Sequence, residues 1–531
     1  MIKISRIRFS IDTLGCRVNQ SESDFIAGEL QKRGMEPVTY NEHPDFCIIN
    51  TCTVTSQADR KARQLIRKIR LENKDSIIIV TGCFVKFNRK FLKKSGVDFI
   101  VSNKEKYRIP DLIADKISKS ISGSVSVDSG GNIVKHSRPL VKIQDGCEQN
   151  CTYCIVPAVR GRYKSTPFKV ILERITELEK DGFEEIVLTG IHIGKYGVDF
   201  KSGNLSNIKD TDSGNLYVEG KASSLSHKNT TSITYSPSGL AKLLERILEE
   251  TDIKRIRISS IEVNEVTGEL IDVLKRNEAR IAPHLHIPLQ SGSNKILGLM
   301  GRPYNTGYYL NKISLIKDIF PDIAITTDVM AGFPGEEDDD FRGTIDVVEK
   351  VAFSKIHVFK YSPREHTAAY MMPGHVSEDV KSSRSVILRN LGNRLRRNYL
   401  ENNTGKELDV VCEEISNCSV HANSNALYTE DIHQIHEEPV YQGSGAICTE
   451  AGTVCLEDTG SIISSVTKGN KIVISGTSGN YIKVYFMVEK SKFPELKGKI
   501  VKVTTNSIYK NGLSGILNQR YKSLSQEYKK E

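Results

Sequence analysis

Tryptophan is absent from this 531-residue chain, and no fold or activity is excluded by that alone. Other absences say more. No run of about 18 apolar residues occurs, so a transmembrane helix is not expected. The opening Met-Ile-Lys-Ile-Ser-Arg-Ile-Arg-Phe-Ser alternates apolar and polar side chains and lacks the apolar stretch of a secretory signal. Without such a signal the expected setting is a reducing cytoplasm. There the 11 cysteines, an odd number, point to metal or catalysis rather than to disulfides. The net charge of +9, with a pI near 8.8, permits nucleic-acid binding without demanding it.

The length allows about two to four domains with their own cores. Residues 1–122 read as a small open α/β domain, with short apolar strands expected at 7–12, 46–50, 77–81 and 99–101. A helix over 57–71 gathers Ala62, Leu65, Ile66 and Ile69 on one face. Arg60, Lys61, Arg63, Arg67, Lys68 and Arg70 occupy the rest, either as a solvated surface or as an RNA contact. A Ser/Gly-rich linker follows at 123–138. Six strand candidates then alternate with helix patterns, at 140–144, 185–188, 255–258, 284–289, 323–330 and 355–359. That alternation predicts a parallel sheet, and six units predict an incomplete (β/α)6 barrel over 133–378. Polar, aperiodic insertions are expected at about 201–236 and 413–470. A helical connector at 379–404, with Arg389, Arg394, Arg396 and Arg397, leads to a small β-barrel over 405–517.

Cysteine placement carries the chemistry. Cys147, Cys151 and Cys154 fall within eight residues, in Asp-Gly-Cys-Glu-Gln-Asn-Cys-Thr-Tyr-Cys, directly after an expected barrel strand. Thiolates so close in a short loop suit a soft metal or an iron–sulfur cluster. Three are one too few for a four-iron cubane, which leaves one iron open to a substrate or cofactor. A structural zinc site would want a fourth ligand, and no nearby His or Cys supplies it. Cys16, Cys52 and Cys83 are far apart in sequence, yet each follows an expected strand at the edge where ligands gather in α/β sheets. They either meet there or are small buried residues. Cys47 and Cys412 lie within strand patterns and read as core. Cys418, Cys448 and Cys455, near His421, His433 and His436, lack a paired CxxC.

In order along the chain stand TLGCRVNQSES, INTCTVT, TGC, DGCEQNCTYCIVPAVRGR, LTGIHIG, RISSIE, HIPLQSGS, MGRPY and DVMAGFPGE. This series resembles the methylthiotransferase family of radical S-adenosylmethionine (SAM) enzymes, over nearly the whole chain except the insertions. The resemblance implies a SAM-binding 4Fe-4S cluster on Cys147, Cys151 and Cys154, and an auxiliary 4Fe-4S cluster on Cys16, Cys52 and Cys83. It implies that one SAM gives a methyl group to sulfur on the auxiliary cluster, and that a second is cleaved to a radical that takes hydrogen from the substrate. Tyr153 would lie against the adenine region. Among residues expected at strand ends, Thr189, Gly190, Ser260, Glu262, Gln290 and Gly332 become candidates for SAM contact. Arg160 and Arg162 would meet either SAM carboxylate or tRNA phosphate. His192 and His286 read as structural.

The sequence around Cys16 is similar to the bacterial branch acting on C2 of N6-threonylcarbamoyladenosine at tRNA position 37. The branches acting on isopentenyladenosine or on a ribosomal-protein aspartate tend to other residues after that cysteine. The terminal barrel resembles the RNA-binding TRAM domain. Implied partners are tRNA, an electron-donor protein and a sulfur donor, with no membrane. A non-catalytic, zinc-containing RNA-binding protein is the alternative from another class.

Overall fold

The computed structural model describes residues 7–120, 136–200, 239–416 and 470–518. The expected insertion at 201–236, nearly all of that at 413–470, and Cys418, Cys448, Cys455, His421, His433 and His436 lie outside the described residues. The chain forms two compact units, Met1–Arg396 and Arg397–Glu531.

The first unit begins with a five-stranded sheet: β1 (Arg8–Thr13), β2 (Glu36–Pro37), β3 (Phe46–Thr51), β4 (Ile77–Gly82) and β5 (Phe99–Ile100), in the order β2-β1-β3-β4-β5. Every neighbouring pair is parallel. Central β3, Phe-Cys-Ile-Ile-Asn-Thr, is buried at every residue, as a strand covered on both faces must be. Helix α1 (Arg17–Lys32) buries Val18, Ile26 and Leu30, and α2 (Ser56–Glu72) buries Ala62, Ile66 and Ile69 at helical spacing. The Thr55 hydroxyl caps α2 by accepting from Ala58 N at 3.1 Å. Cys47 is fully buried in this core. Strand β2 has only two residues, too few to leave a pattern in the sequence.

A second run of strands follows: β6 (Leu140–Asp145), β7 (Lys164–Ser165), β8 (Glu185–Gly190), β9 (Arg255–Ile258), β10 (His284–His286), β11 (Ala324–Ala331) and β12 (Lys355–Lys360). Hydrogen bonding yields β7-β6-β8-β9 and β10-β11-β12, and isolated parallel bridges Ile256–Ile281 and Ser260–His286 join the two. Apart from the short antiparallel β7, this is the six-strand parallel arc expected of an incomplete barrel. Helices such as Phe168–Lys180, Leu240–Glu250 and Asp338–Val351 pack their apolar faces onto one core with these strands. A helix, α3 (Glu378–Glu401), follows the last strand and spans the connector region.

The second unit is a closed barrel of β13 (Glu407–Ile415), β14 (Lys471–Ser478), β15 (Lys483–Glu489), β16 (Ile500–Tyr509) and β17 (Gly512–Leu517), in the order β13-β14-β15-β17-β16. Cys412 is buried in it. β13 runs three residues into the expected insertion at 413–470, and β14 begins directly after it. Its Gly476 interrupts the alternation because a Cβ there would stand 2.2 Å from Val411 O.

One charge cluster anchors the base of the arc. Glu185, fully buried, accepts from Arg257 Nε at 2.8 Å and also from Arg255, with Arg138 at 3.9 Å. Burial opposes its ionisation, but Arg257, Arg255 and Arg138 outweigh it and hold the carboxyl down at about 2. A carboxyl depressed in the folded state stabilises above its unfolded value of about 4.3, and that stabilisation is lost as pH falls toward 2. Glu185→Gln is expected to cost about 3–5 kcal/mol at neutral pH, because two arginines lose their buried counter-charge. It should also flatten the fall in stability between about pH 4.5 and 2. Urea denaturation across that range checks both.

Candidate active site

Cys16 ends the loop after β1 and stands at the N-cap of α1. Cys52 follows the last residue of β3, and Cys83 follows the last residue of β4. Because β1, β3 and β4 are adjacent and parallel, their carboxyl ends lie side by side at about 4.8 Å spacing. The fold thus brings together three cysteines that are distant in sequence. Two glycines make this possible. Gly15 has φ 108°, and a Cβ on it would stand 2.7 Å from Cys52 Cβ. Gly82 has φ 98°, and a Cβ on it would stand 2.2 Å from Thr51 O. Each loop therefore crosses its neighbour at backbone distance. Burial first, and then the neighbouring Cys83 and Cys16, push the Cys52 thiol up to about 11 despite backbone hydrogen bonds from Val54 and Thr53.

Cys147, Cys151 and Cys154 lie in the loop between β6 and the short helix Val156–Arg160. Cys147 N donates to Gly161 O at 2.9 Å, closing the loop, and Thr152 N donates to Met300 O at 3.0 Å, tying it to the far side of the mouth. Burial raises Cys154 to about 12 and also raises Cys151. All three are free thiols, as are Cys16, Cys52 and Cys83. Among the described residues no three His, Cys, Asp or Glu side chains converge to hold a single metal ion. Thiolates on separate irons of one cluster need not converge on a point.

The two triads are linked through buried charge. Glu22 of α1 is fully buried, with Lys106 Nζ at 2.5 Å, Lys142 Nζ at 2.7 Å and Arg160 Nη1 at 3.1 Å. Burial opposes the charge on Glu22, but these three cations hold it well below the usual carboxylate range. Lys142 and Arg160 also contact Asp145 at 2.5 and 2.8 Å, two residues before Cys147. Arg160 further donates to Asn19 of α1, and its charge is felt by Cys83 and Cys16. Buried and fully engaged, Arg160 is the bridge between the triads. Arg162 is exposed beside Glu148 at 3.5 Å.

The other expected residues stand around the mouth formed by the carboxyl ends of the arc. Thr189 and Gly190 end β8. Thr189 is buried, and a Cβ on Gly190 would stand 2.9 Å from Gln144 O. Ser260 is exposed and bridges to His286, whereas its neighbour Ser259 is buried with an Oγ that has no partner among the described residues. Gln290 combines a positive φ of 66° with a buried Oε1 that likewise has no partner there. Such a side chain on an unfavourable backbone is the kind of local strain found at ligand sites. At Gly332, with φ 75°, a Cβ would meet Lys381 of α3 at 2.3 Å, so its close approach is to that side chain. Glu262 forms an ion pair with Arg302, and Tyr153 packs edge-on to Phe333 with centroids 6.4 Å apart.

Sequence alone does not single out Arg302, although it lies in the Met-Gly-Arg-Pro-Tyr motif. Its Nη1 is 3.3 Å from Cys151 Sγ and 3.4 Å from Tyr153 OH, and its Nε donates to Tyr304 OH at 3.1 Å. His192 is structural in a specific sense. Nδ1 stands 3.3 Å from Cys147 Sγ and Nε2 stands 2.7 Å from Glu265 Oε1. Burial alone would lower it, but hydrogen bonds to Cys147 and Glu265 raise it to about 9. His286 rests on Thr326 Oγ1 at 2.9 Å.

A half-buried thiol triad at a strand-end mouth, with buried oxygens on Ser259 and Gln290 that have no partner among the described residues at other strand ends of the same arc, fits a cluster and a polar cofactor. This is the arrangement of a radical SAM enzyme, with SAM and a 4Fe-4S cluster as its cofactors. The Radical SAM superfamily model matches residues 141–348, and the model described as Uncharacterized protein family UPF0004 matches residues 8–102. The threonylcarbamoyladenosine tRNA methylthiotransferase MtaB of Thermotoga maritima is 35% identical, over 76% of this chain and 86% of that one. Its namesake in Bacillus subtilis is 33% identical, over 80% and 88%. The tRNA-2-methylthio-N(6)-dimethylallyladenosine synthase of Thermotoga petrophila is 32% identical, over 80% and 89%. Among solved structures, the radical SAM methyltransferase TsrM of Kitasatospora setae has a TM-score of 0.46 at 13% identity, over 69% of this chain and 77% of that one. The chain belongs to the tRNA methylthiotransferase family, and is a transferase.

Gly82→Ala should force Cys83 away from Cys52. A non-glycine residue at that φ and ψ costs about 1–3 kcal/mol before any clash. The expected result is a lower urea midpoint together with faster alkylation of Cys52 and Cys83, read by peptide mass spectrometry.

Proposed function

We propose that this chain adds a methylthio group to C2 of N6-threonylcarbamoyladenosine at position 37 of tRNA, beside the anticodon. Two separate thiol triads on one compact unit carry this reading, since one cluster accounts for radical chemistry and a second accounts for delivered sulfur. Adenine C2–H is not acidic enough for an ordinary side-chain base, so the difficult step belongs to a cofactor that the protein orients and shields. When bound, SAM and its cluster supply homolytic cleavage of an unactivated C–H bond, and an auxiliary 4Fe-4S cluster supplies the sulfur that is methylated and transferred.

The chain's own residues hold and position. Cys147, Cys151 and Cys154 would ligate the SAM cluster, and Cys16, Cys52 and Cys83 the auxiliary one. Ser259 and Gln290 offer buried polar atoms to SAM, and Ser260 and Glu262 border the same mouth. Thr189 and Gly190 shape the wall beside Gln144, Gly332 shapes the opposite wall, and Tyr153 offers a ring edge. Arg302 orients Cys151 and Tyr153, and His192 orients Cys147. The terminal barrel would serve as a TRAM-type RNA-binding module. An electron-donor protein and a sulfur donor complete the turnover. We place the reaction in the cytoplasm, away from membranes; no helix among the described residues is long and apolar enough to cross one.

Relatives named for threonylcarbamoyladenosine and for dimethylallyladenosine are of similar identity, and the TLGCRVNQSES sequence around Cys16 favours the former. The zinc-containing RNA-binding alternative is not favoured, because family membership makes the chain a radical SAM transferase. Nucleoside mass spectrometry of tRNA from a deletion strain lacking other methylthiotransferases decides the substrate. Loss of methylthio-threonylcarbamoyladenosine is expected, and its persistence overturns the reading. Anaerobic protein should carry about eight irons per chain. Cys16→Ala should retain reductive SAM cleavage and abolish thiolation, whereas Cys151→Ala should abolish cleavage itself. Identical behaviour of the two variants would contradict the assignment.

A further inference from the structure

The basic surface of α2 left two readings open, a solvated face or an RNA contact. Arg60, Arg63 and Arg67 of α2 and Arg364, just beyond β12, line a pocket of about 430 Å³. Its one carboxylate, Asp59, already accepts from Thr53 Oγ1 at 2.5 Å and from Arg364 at 2.9 Å. A merely solvated face would leave its cations mobile. Here Arg63 lies over the Phe91 ring at 4.9 Å and donates to Asn88 Oδ1 at 2.8 Å, and Arg67 lies over the same ring at 5.4 Å. Arg60 makes no ion pair among the described residues and is exposed. Held this way, Arg63 and Arg67 present planar forks suited to phosphate oxygens, and exposed Arg60 adds a cation with no competing carboxylate among the described residues. From Arg60 to Arg67 the helix rises roughly 10 Å, too far for one phosphate to satisfy both ends.

A stacking surface flanks the pocket. Phe87, next to Asn88, lies on His366, two residues beyond Arg364, with ring centroids 4.4 Å apart and planes 20° from parallel. Both residues are exposed, and His366 is held at a positive φ of 71°. A row of cations beside an exposed flat ring pair is what an unpaired nucleic-acid strand needs: charge for its backbone and a face for a base. The location is apt, because Arg364 donates to Thr53 Oγ1 at 2.8 Å, and Thr53 adjoins Cys52.

We propose that Arg60, Arg63, Arg67 and Arg364, with the Phe87–His366 pair, form a subsite for single-stranded RNA, the arginines taking backbone phosphates and the rings one base. This rests on the tRNA reading above and specifies an interaction within it. The test is equilibrium binding of anticodon stem-loop RNA, with and without the threonylcarbamoyl group, to the full-length reconstituted protein over a salt series. Arg60→Gln with Arg67→Gln should weaken both RNAs alike and reduce the slope of log K against log salt by about 0.7 for each phosphate left unneutralised. Arg67→Lys should keep the slope. Phe87→Ala should weaken binding roughly 5- to 150-fold with the slope unchanged. Thermal midpoints and iron content matching wild type show that the variants are folded. Wild-type binding with unaltered arginine variants overturns this subsite alone. Failure of wild type to bind either RNA overturns the tRNA reading with it. Unaltered RNA binding with lost affinity for reduced flavodoxin, an acidic redox protein, overturns it in favour of a protein-docking patch.

Discussion

The buried carboxylate of Glu22 is the interaction on which the first unit depends. It sits on α1, the helix that begins immediately after Cys16, and its cations come from the barrel arc and from Lys106. Removing an ionised group of this kind from water is costly unless its partners are fixed. Three partners are fixed here, so the position of α1 against β6 is set by charge as well as by packing. Since Cys16 opens α1 and Asp145 closes β6, the spacing of the two thiol triads follows from the same cluster. Glu22 and Asp145 together meet Lys106, Lys142 and Arg160, which leaves one positive charge in surplus beside Cys16 and Cys83. An electron-rich, thiolate-bound group is favoured at such a place.

Burial raises the thiols of Cys52, Cys151 and Cys154, so in the metal-free protein at neutral pH they carry their protons. On the proposed assignment, ligation would displace those protons, as a bound metal readily does. Arg302 near Cys151 and His192 near Cys147 would then hold the sulfur positions from outside the proposed coordination shell, as outer residues do in metal sites generally.

Much of this is legible in the sequence. Strands that are apolar along their length, such as Ile77–Gly82, and cysteines placed just after them mark both the sheet and its ligand edge. The six βα units are readable because each strand is a short run of apolar or alternating residues and is separated from the next by a helix period. Pairing partners are not readable. Arg160 reads as an anion-binding residue because nothing in Val-Arg-Gly-Arg indicates that Glu22, 138 positions earlier, lies against it. Arg302 escapes notice for the same reason, since its value lies in contacts 40 to 151 positions away. Short or irregular strands, β2, β7 and β14, are lost to length or to a glycine required by a close backbone approach.

The two triads differ in one respect with consequences for maturation. Cys147, Cys151 and Cys154 remain neighbours in an unfolded chain, whereas Cys16, Cys52 and Cys83 are neighbours only once β1, β3 and β4 have paired. A ligand with some affinity for the unfolded state stabilises the native state less than one that recognises the native state alone. The dispersed triad therefore couples occupancy tightly to folding of the sheet, and the compact one does not. On the proposed ligand assignment, the local loop would offer its three thiols to iron before the fold is complete, whereas the dispersed site would form only after the first 83 residues have folded.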